Sequence, residues 1–151
     1  MPALLLAVLA GLCWGVGELF TKSVLHTHQV GPFTAIAVRS TVALPMIWLA
    51  WLASDRGLFG LKPEPSIFAA EKATVLKLTL GSGLIAGAVA MICFYAALSL
   101  GEISRVKPIA FALAPATAVL LAWLLLGEEL SLRKGLAVAM ILGGVVLLTG
   151  K

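Results

Sequence analysis

Residues 3–25 read ALLLAVLAGLCWGVGELFTKSVL, and this stretch decides the class of fold. It is apolar for longer than the ~20 residues that cross a hydrocarbon core of ~30 Å, and it is not preceded by the basic start of a cleavable signal peptide. We therefore read it as a permanent transmembrane helix. Four further apolar runs of similar length follow at 32–53, 78–100, 106–126 and 132–149. The expected fold is an all-α membrane protein of five transmembrane helices.

Composition agrees, since 61% of the 151 residues are hydrophobic and 12% charged. Ordinary soluble domains are ~45–50% apolar and about a quarter charged, so a water-soluble globule is excluded. The net charge of +4 carries no nucleic-acid reading, because the basic residues gather in the connections between apolar runs. Arg56, Lys62, Lys72, Lys77, Arg133 and Lys134 lie on the side of the N-terminus, whereas Arg105, Lys107 and Lys151 lie on the other. This bias places the N-terminus inside and the C-terminus outside, and it is small enough to leave dual insertion open.

The boundaries have their own chemistry. Gly31-Pro32 opens the second helix, Gly101 ends the third, Gly127 ends the fourth and Ser131 caps the fifth. The one long connection, 54–77, contains Gly57, Gly60, Pro63 and Pro65. Ser66 then precedes Ile-Phe-Ala-Ala-Glu-Lys-Ala, which reads either as a short interfacial helix or as a solvated linker, the latter being the plainer expectation. Cys13 and Cys93 both fall within spans and imply neither a disulfide framework nor a metal site. His26 and His28 form a His-x-His without a third ligand beside them, so no metal and no cofactor is expected.

Charged residues inside the spans carry the functional reading. Glu18 and Arg39 each cost roughly 2.5–3.5 kcal/mol at a helix centre on insertion scales, so something must compensate them. In a hairpin turning between residues 28 and 29 they lie at one depth, about 15 Å from the turn at 1.5 Å per residue. Trp14 and Lys22 fall four residues before and after Glu18, on the same helical stripe. Tyr95 on the third helix and Pro115 on the fourth reach the same level, the proline releasing a backbone carbonyl. Glu18, Lys22, Arg39, Trp14, Tyr95 and Pro115 are thus the candidate substrate or proton path. Their surplus positive charge suits an anionic or zwitterionic small solute. The bland alternative is a structural ion pair, with Lys22 snorkelling to the interface and the aromatics serving as packing anchors.

Small residues recur at four-residue steps at Ala110, Ala114, Ala118 and Ala122 on the fourth helix and at Gly135, Ala139 and Gly143 on the fifth. Such ridges form close helix contacts, within the chain or as a dimer seam. No phosphate-binding loop, His-Glu-x-x-His or nucleophile triad is present, so no enzyme is expected.

The run Leu12-Cys13-Trp14-Gly15 with Lys22, then Arg39-Ser40, Ala97-Leu98-x-x-Gly101-Glu102 and Ser104-Arg105-Val106-x-Pro108 carries a resemblance. With Leu126-Gly127-Glu128-x-Leu130-Ser131 and Gly143-Gly144, it resembles a single EamA domain of the drug/metabolite transporter superfamily, closest to short five-helix members. The resemblance covers nearly the whole chain. It implies a secondary transporter of small metabolites or drugs working by alternating access around a cavity lined by the first four helices. It also implies a half-transporter in the bilayer, paired as a homodimer (antiparallel if dually inserted) or with a second half-sized chain. The expected location is a bacterial or archaeal cytoplasmic membrane. In the distantly similar small multidrug resistance exporters a glutamate stands eight residues before the lysine, a place held here by Trp14, with Glu18 one turn on. Two alternatives stay open: a non-transporting scaffold or regulatory subunit, and half of a lipid-linked sugar flippase.

Overall fold

The computed structural model describes residues 2–60 and 62–150. Lys151, counted above in the charge bias, lies outside the described residues. Helix α1 spans Pro2–His26, α2 Pro32–Asp55, α3 Lys72–Leu100, α4 Ile103–Leu126 and α5 Leu132–Thr149. All five are long and apolar enough to cross a membrane, and among the described residues there is no strand. The protein is an all-helical integral membrane protein.

Local chemistry explains most ends. The fixed φ of Pro32 suits the first turn of α2 and its missing N–H is no loss there. Gly127 closes α4 in the left-handed region at φ 67°, and its own N–H and that of Glu128, the latter at 3.2 Å, both return to the Ala122 carbonyl. Ser131 Oγ accepts from the Lys134 N–H at 3.3 Å and starts α5. Between α1 and α2, His28 adopts φ 57° in the tight turn, and among the described residues no group of three metal-capable side chains forms around it or elsewhere.

The third helix departs from the sequence expectation at its start. It begins at Lys72, not at residue 78, because a lysine stem can carry its charge to the interface while the backbone stays helical. Its stretch Lys77–Val89 winds as a π-helix, with the following Ala90 N–H bonded to the Ile85 carbonyl five residues back. The interfacial helix entertained for Ile67 onward is a single 3₁₀ turn, Ile67–Ala69, capped by Ser66.

The chain forms two compact units, Met1–Ser99 and Leu100–Lys151. In the first, α1 and α2 make a hairpin and α3 joins it through polar side chains. In the second, α4 and α5 pack along each other. Buried apolar side chains among the described residues are Leu25, Tyr95, Leu98 and Ala112, while leucines such as Leu4, Leu125 and Leu147 stand open. That inversion is what lipid-facing helices require, since acyl chains take the place of a core.

Of the small-residue ridges, Ala110, Ala122 and Gly135 are half-buried, but Ala114, Ala118, Ala139 and Gly143 are exposed. The partly covered positions of α5 are Gly135, Val138, Leu142, Gly144 and Val145. This is a 3.6-period face that a strict four-residue count drifts away from.

Candidate functional site

Glu18 is the buried charge of the first unit, with 2% of its surface exposed. A lone carboxylate at that depth would be prohibitively costly, and the hairpin supplies its partner from equal depth on α2. Arg39 Nη1 donates to Glu18 Oε1 at 3.2 Å. The same nitrogen donates to the Tyr95 hydroxyl of α3 at 2.8 Å. Its guanidinium carbon stands 5.8 Å from the Tyr95 ring centroid, the outer edge of a cation–π contact, so the hydroxyl bond is the one that fixes the geometry.

Donor and acceptor accounting extends the chain. Thr21 Oγ1 gives its one proton to the Gly17 carbonyl at 3.1 Å, which leaves its lone pairs for Tyr95. Tyr95, whose hydroxyl already accepts from Arg39, therefore donates to Thr21 Oγ1 across 3.4 Å. A directional relay runs from guanidinium to phenol to threonine to backbone, tying three helices together.

Lys22, one turn above Glu18, donates from Nζ to the Leu98 carbonyl at 2.8 Å. That carbonyl belongs to the last turn of α3, where cations are favoured by the helix dipole. Tyr95 and Leu98, three residues apart on one face, are both fully buried. Trp14 is half-exposed on the stripe below Glu18. Pro115 lies inside α4, in the second unit.

Two openings remain in this arrangement. Glu18 Oε2 is buried and has no hydrogen-bond partner among the described residues. Arg39 uses Nη1 for both of its bonds, and its side chain is about a third exposed, with Nε and Nη2 as further donors. An acceptor and a donor pair thus stand at one level inside the bilayer span.

Sequence reasoning singled out Glu18, Arg39 and Tyr95, which the fold brings into one network, and Lys22, which bonds to the α3 backbone at Leu98. It missed Thr21 and the Leu98 carbonyl. Thr21 was discoverable, because positions 18, 21 and 22 share one face at i, i+3 and i+4. No side-chain pattern marks a particular backbone carbonyl.

Membrane-length helices joined by a buried ion pair define an integral membrane protein with the makings of a transporter. The chain belongs to the EamA-like transporter family, whose model matches residues 1–150, and it is a single EamA domain of the drug/metabolite transporter superfamily. This is a transporter family and not an enzyme family. No curated protein and no solved structure matches the chain.

Proposed function

We propose that the protein is a secondary active transporter of a small metabolite or drug, working by alternating access as a dimer of five-helix halves. Glu18, Lys22 and Arg39 take the solute or proton, with Tyr95 holding Arg39 and with Trp14 lining the path. The observation that carries this reading is the buried Glu18 with one oxygen paired and the other without a partner. A purely structural ion pair has no use for the second oxygen, whereas a passing ammonium, hydroxyl or proton completes it. Arg39 Nε and Nη2 and the Lys22 ammonium favour an anionic or zwitterionic solute.

The chain sits in a bacterial or archaeal cytoplasmic membrane with its N-terminus inside and C-terminus outside, paired with an antiparallel copy or a second half-sized chain. Exposed Ala139 and Gly143, the latter with open space where a Cβ would stand, favour a contact with such a partner. The same observation suits the alternative of a non-transporting scaffold. Flux in reconstituted vesicles separates the two: Glu18→Gln and Arg39→Ala abolish transport in proteins that still insert, and normal flux in both would remove the site assignment. Labelling Thr149→Cys, in a chain lacking Cys13 and Cys93, with an impermeant thiol reagent reports the assembly. About half labelled from outside means dual insertion, and full labelling means a fixed half that needs a partner of opposite orientation.

A further inference from the structure

The connection between α2 and α3 is the part of the first unit that the transport reading leaves unused. Ser54 Oγ, buried at the end of α2, donates to the Lys62 carbonyl at 3.0 Å and holds the start of the connection against the helix. At residues 66–70 the chain folds on itself: Phe68 N–H bonds Ser66 Oγ at 3.3 Å, Ala69 N–H the Ser66 carbonyl at 3.1 Å and Ala70 N–H the Ile67 carbonyl at 3.2 Å. Three consecutive backbone donors are satisfied locally, which is the condition for placing a non-helical turn in an apolar environment. The side chains on that turn are apolar, and Phe68 is 97% exposed. In water such a residue has no reason to be held outward by a capped turn.

Depth follows from the neighbours. The turn forms one wall of a cleft of about 580 Å³ whose other walls are Trp48 and Trp51 of α2 and Leu78 of α3, with Glu64 at its rim. Trp48 lies seven residues inside the end of α2, about 10 Å along the helix axis at 1.5 Å per residue. The turn therefore reaches down beside the apolar part of both spans. Trp48 and Trp51 meet edge to face at 5.4 Å, and paired tryptophans at a helix end are characteristic of the headgroup boundary. The turn also borders a second cleft of about 420 Å³, lined by Val75, Leu76 and Thr79 and bearing Lys72.

We propose that residues 66–70 form an interfacial lipid site, in which Ile67 and Phe68 enter the bilayer beside the Trp48–Trp51 face, an acyl chain fills the adjoining cleft and Lys72 holds the phospholipid phosphate. The occupant is a phospholipid because the clefts are apolar, flank two spanning helices and carry a cation at the level of the headgroups. The site is separate from the Glu18–Arg39 network and stands whether or not the chain transports.

The test uses the full chain in phospholipid vesicles, with Cys13 and Cys93 replaced by alanine. A nitroxide on Phe68→Cys should collide with dissolved oxygen and lose its collisions with a water-soluble nickel chelate, to the level of Val42→Cys in mid-span. Chelate collisions as frequent as at Glu64→Cys would overturn the proposal and make the segment a solvated linker. Chain-labelled phospholipid should show a motionally restricted fraction that falls in both Phe68→Ser and Lys72→Gln. A fraction unchanged in both variants would overturn the lipid assignment.

Discussion

Arg39 of α2 places a single guanidinium nitrogen 3.2 Å from Oε1 of Glu18 on α1, at one level of the α1–α2 hairpin. The two residues are unequal in that pair. Glu18 is enclosed, while the Arg39 side chain keeps about a third of its surface open and a second partner in Tyr95.

Removing Arg39 should therefore hurt the fold more than removing the charge of Glu18. Arg39→Ala leaves a buried carboxylate without its cation, a loss of about 3–5 kcal/mol in comparable buried pairs, whereas Glu18→Gln leaves a partly open guanidinium still bonded to Tyr95. Denaturant unfolding in detergent micelles measures the difference. The paired replacement Glu18→Leu with Arg39→Met should restore much of the stability and none of the transport, and recovery of flux would refute a role in the path.

Tyr95→Phe deletes the hydroxyl that joins Arg39 to Thr21 and should cost about 1.5–3 kcal/mol, as for hydrogen bonds to charged groups. Thr21→Val, which removes a neutral acceptor 3.4 Å away, should cost nearer 0.5–1.5 kcal/mol. Equal losses in the same unfolding assay would contradict the Arg39–Tyr95 bond as the stronger of the two.

Lys22→Met frees the Leu98 carbonyl from its 2.8 Å bond and removes the cation at the end of α3. Transport of an anionic solute should fall far more than that of a neutral analogue, because the lost group is a charge before it is a packing element. Flux ratios for the two solutes in vesicles decide it.

Gly127→Ala forces a side chain into the left-handed region at φ 67° and should destabilise by about 1–2 kcal/mol, although open space surrounds the position. The strain is in the backbone alone. Gly127→Asn should recover part of the loss, since asparagine tolerates that conformation.

A Cβ added at Gly143 meets nothing within 4 Å beyond its own helix backbone, so Gly143→Leu should leave monomer stability unchanged. If α5 carries the contact between halves, photobleaching step counts in nanodiscs shift from two toward one. Unchanged counts would move the seam elsewhere.

Much of this protein was already legible in its sequence. Five spans follow from apolar run length, because a bilayer of fixed thickness leaves helices little freedom. The equal depth of Glu18 and Arg39 follows from counting outward from one turn at a fixed rise per residue. Gly127 and Ser131 announce their ends through conformational limits that belong to single residues. Tertiary structure decided what depends on azimuth and on backbone atoms. Only the rotation of α3 brings Tyr95 rather than Phe94 to Arg39 and turns the Leu98 carbonyl to Lys22. Only the folded connection shows that Ile67 begins a single capped turn, with α3 already helical at Lys72. Run length and rise are properties of one segment, and the sequence states them directly. Which face meets which neighbour is a property of pairs of segments, set by packing and hydrogen bonds that no single stretch contains.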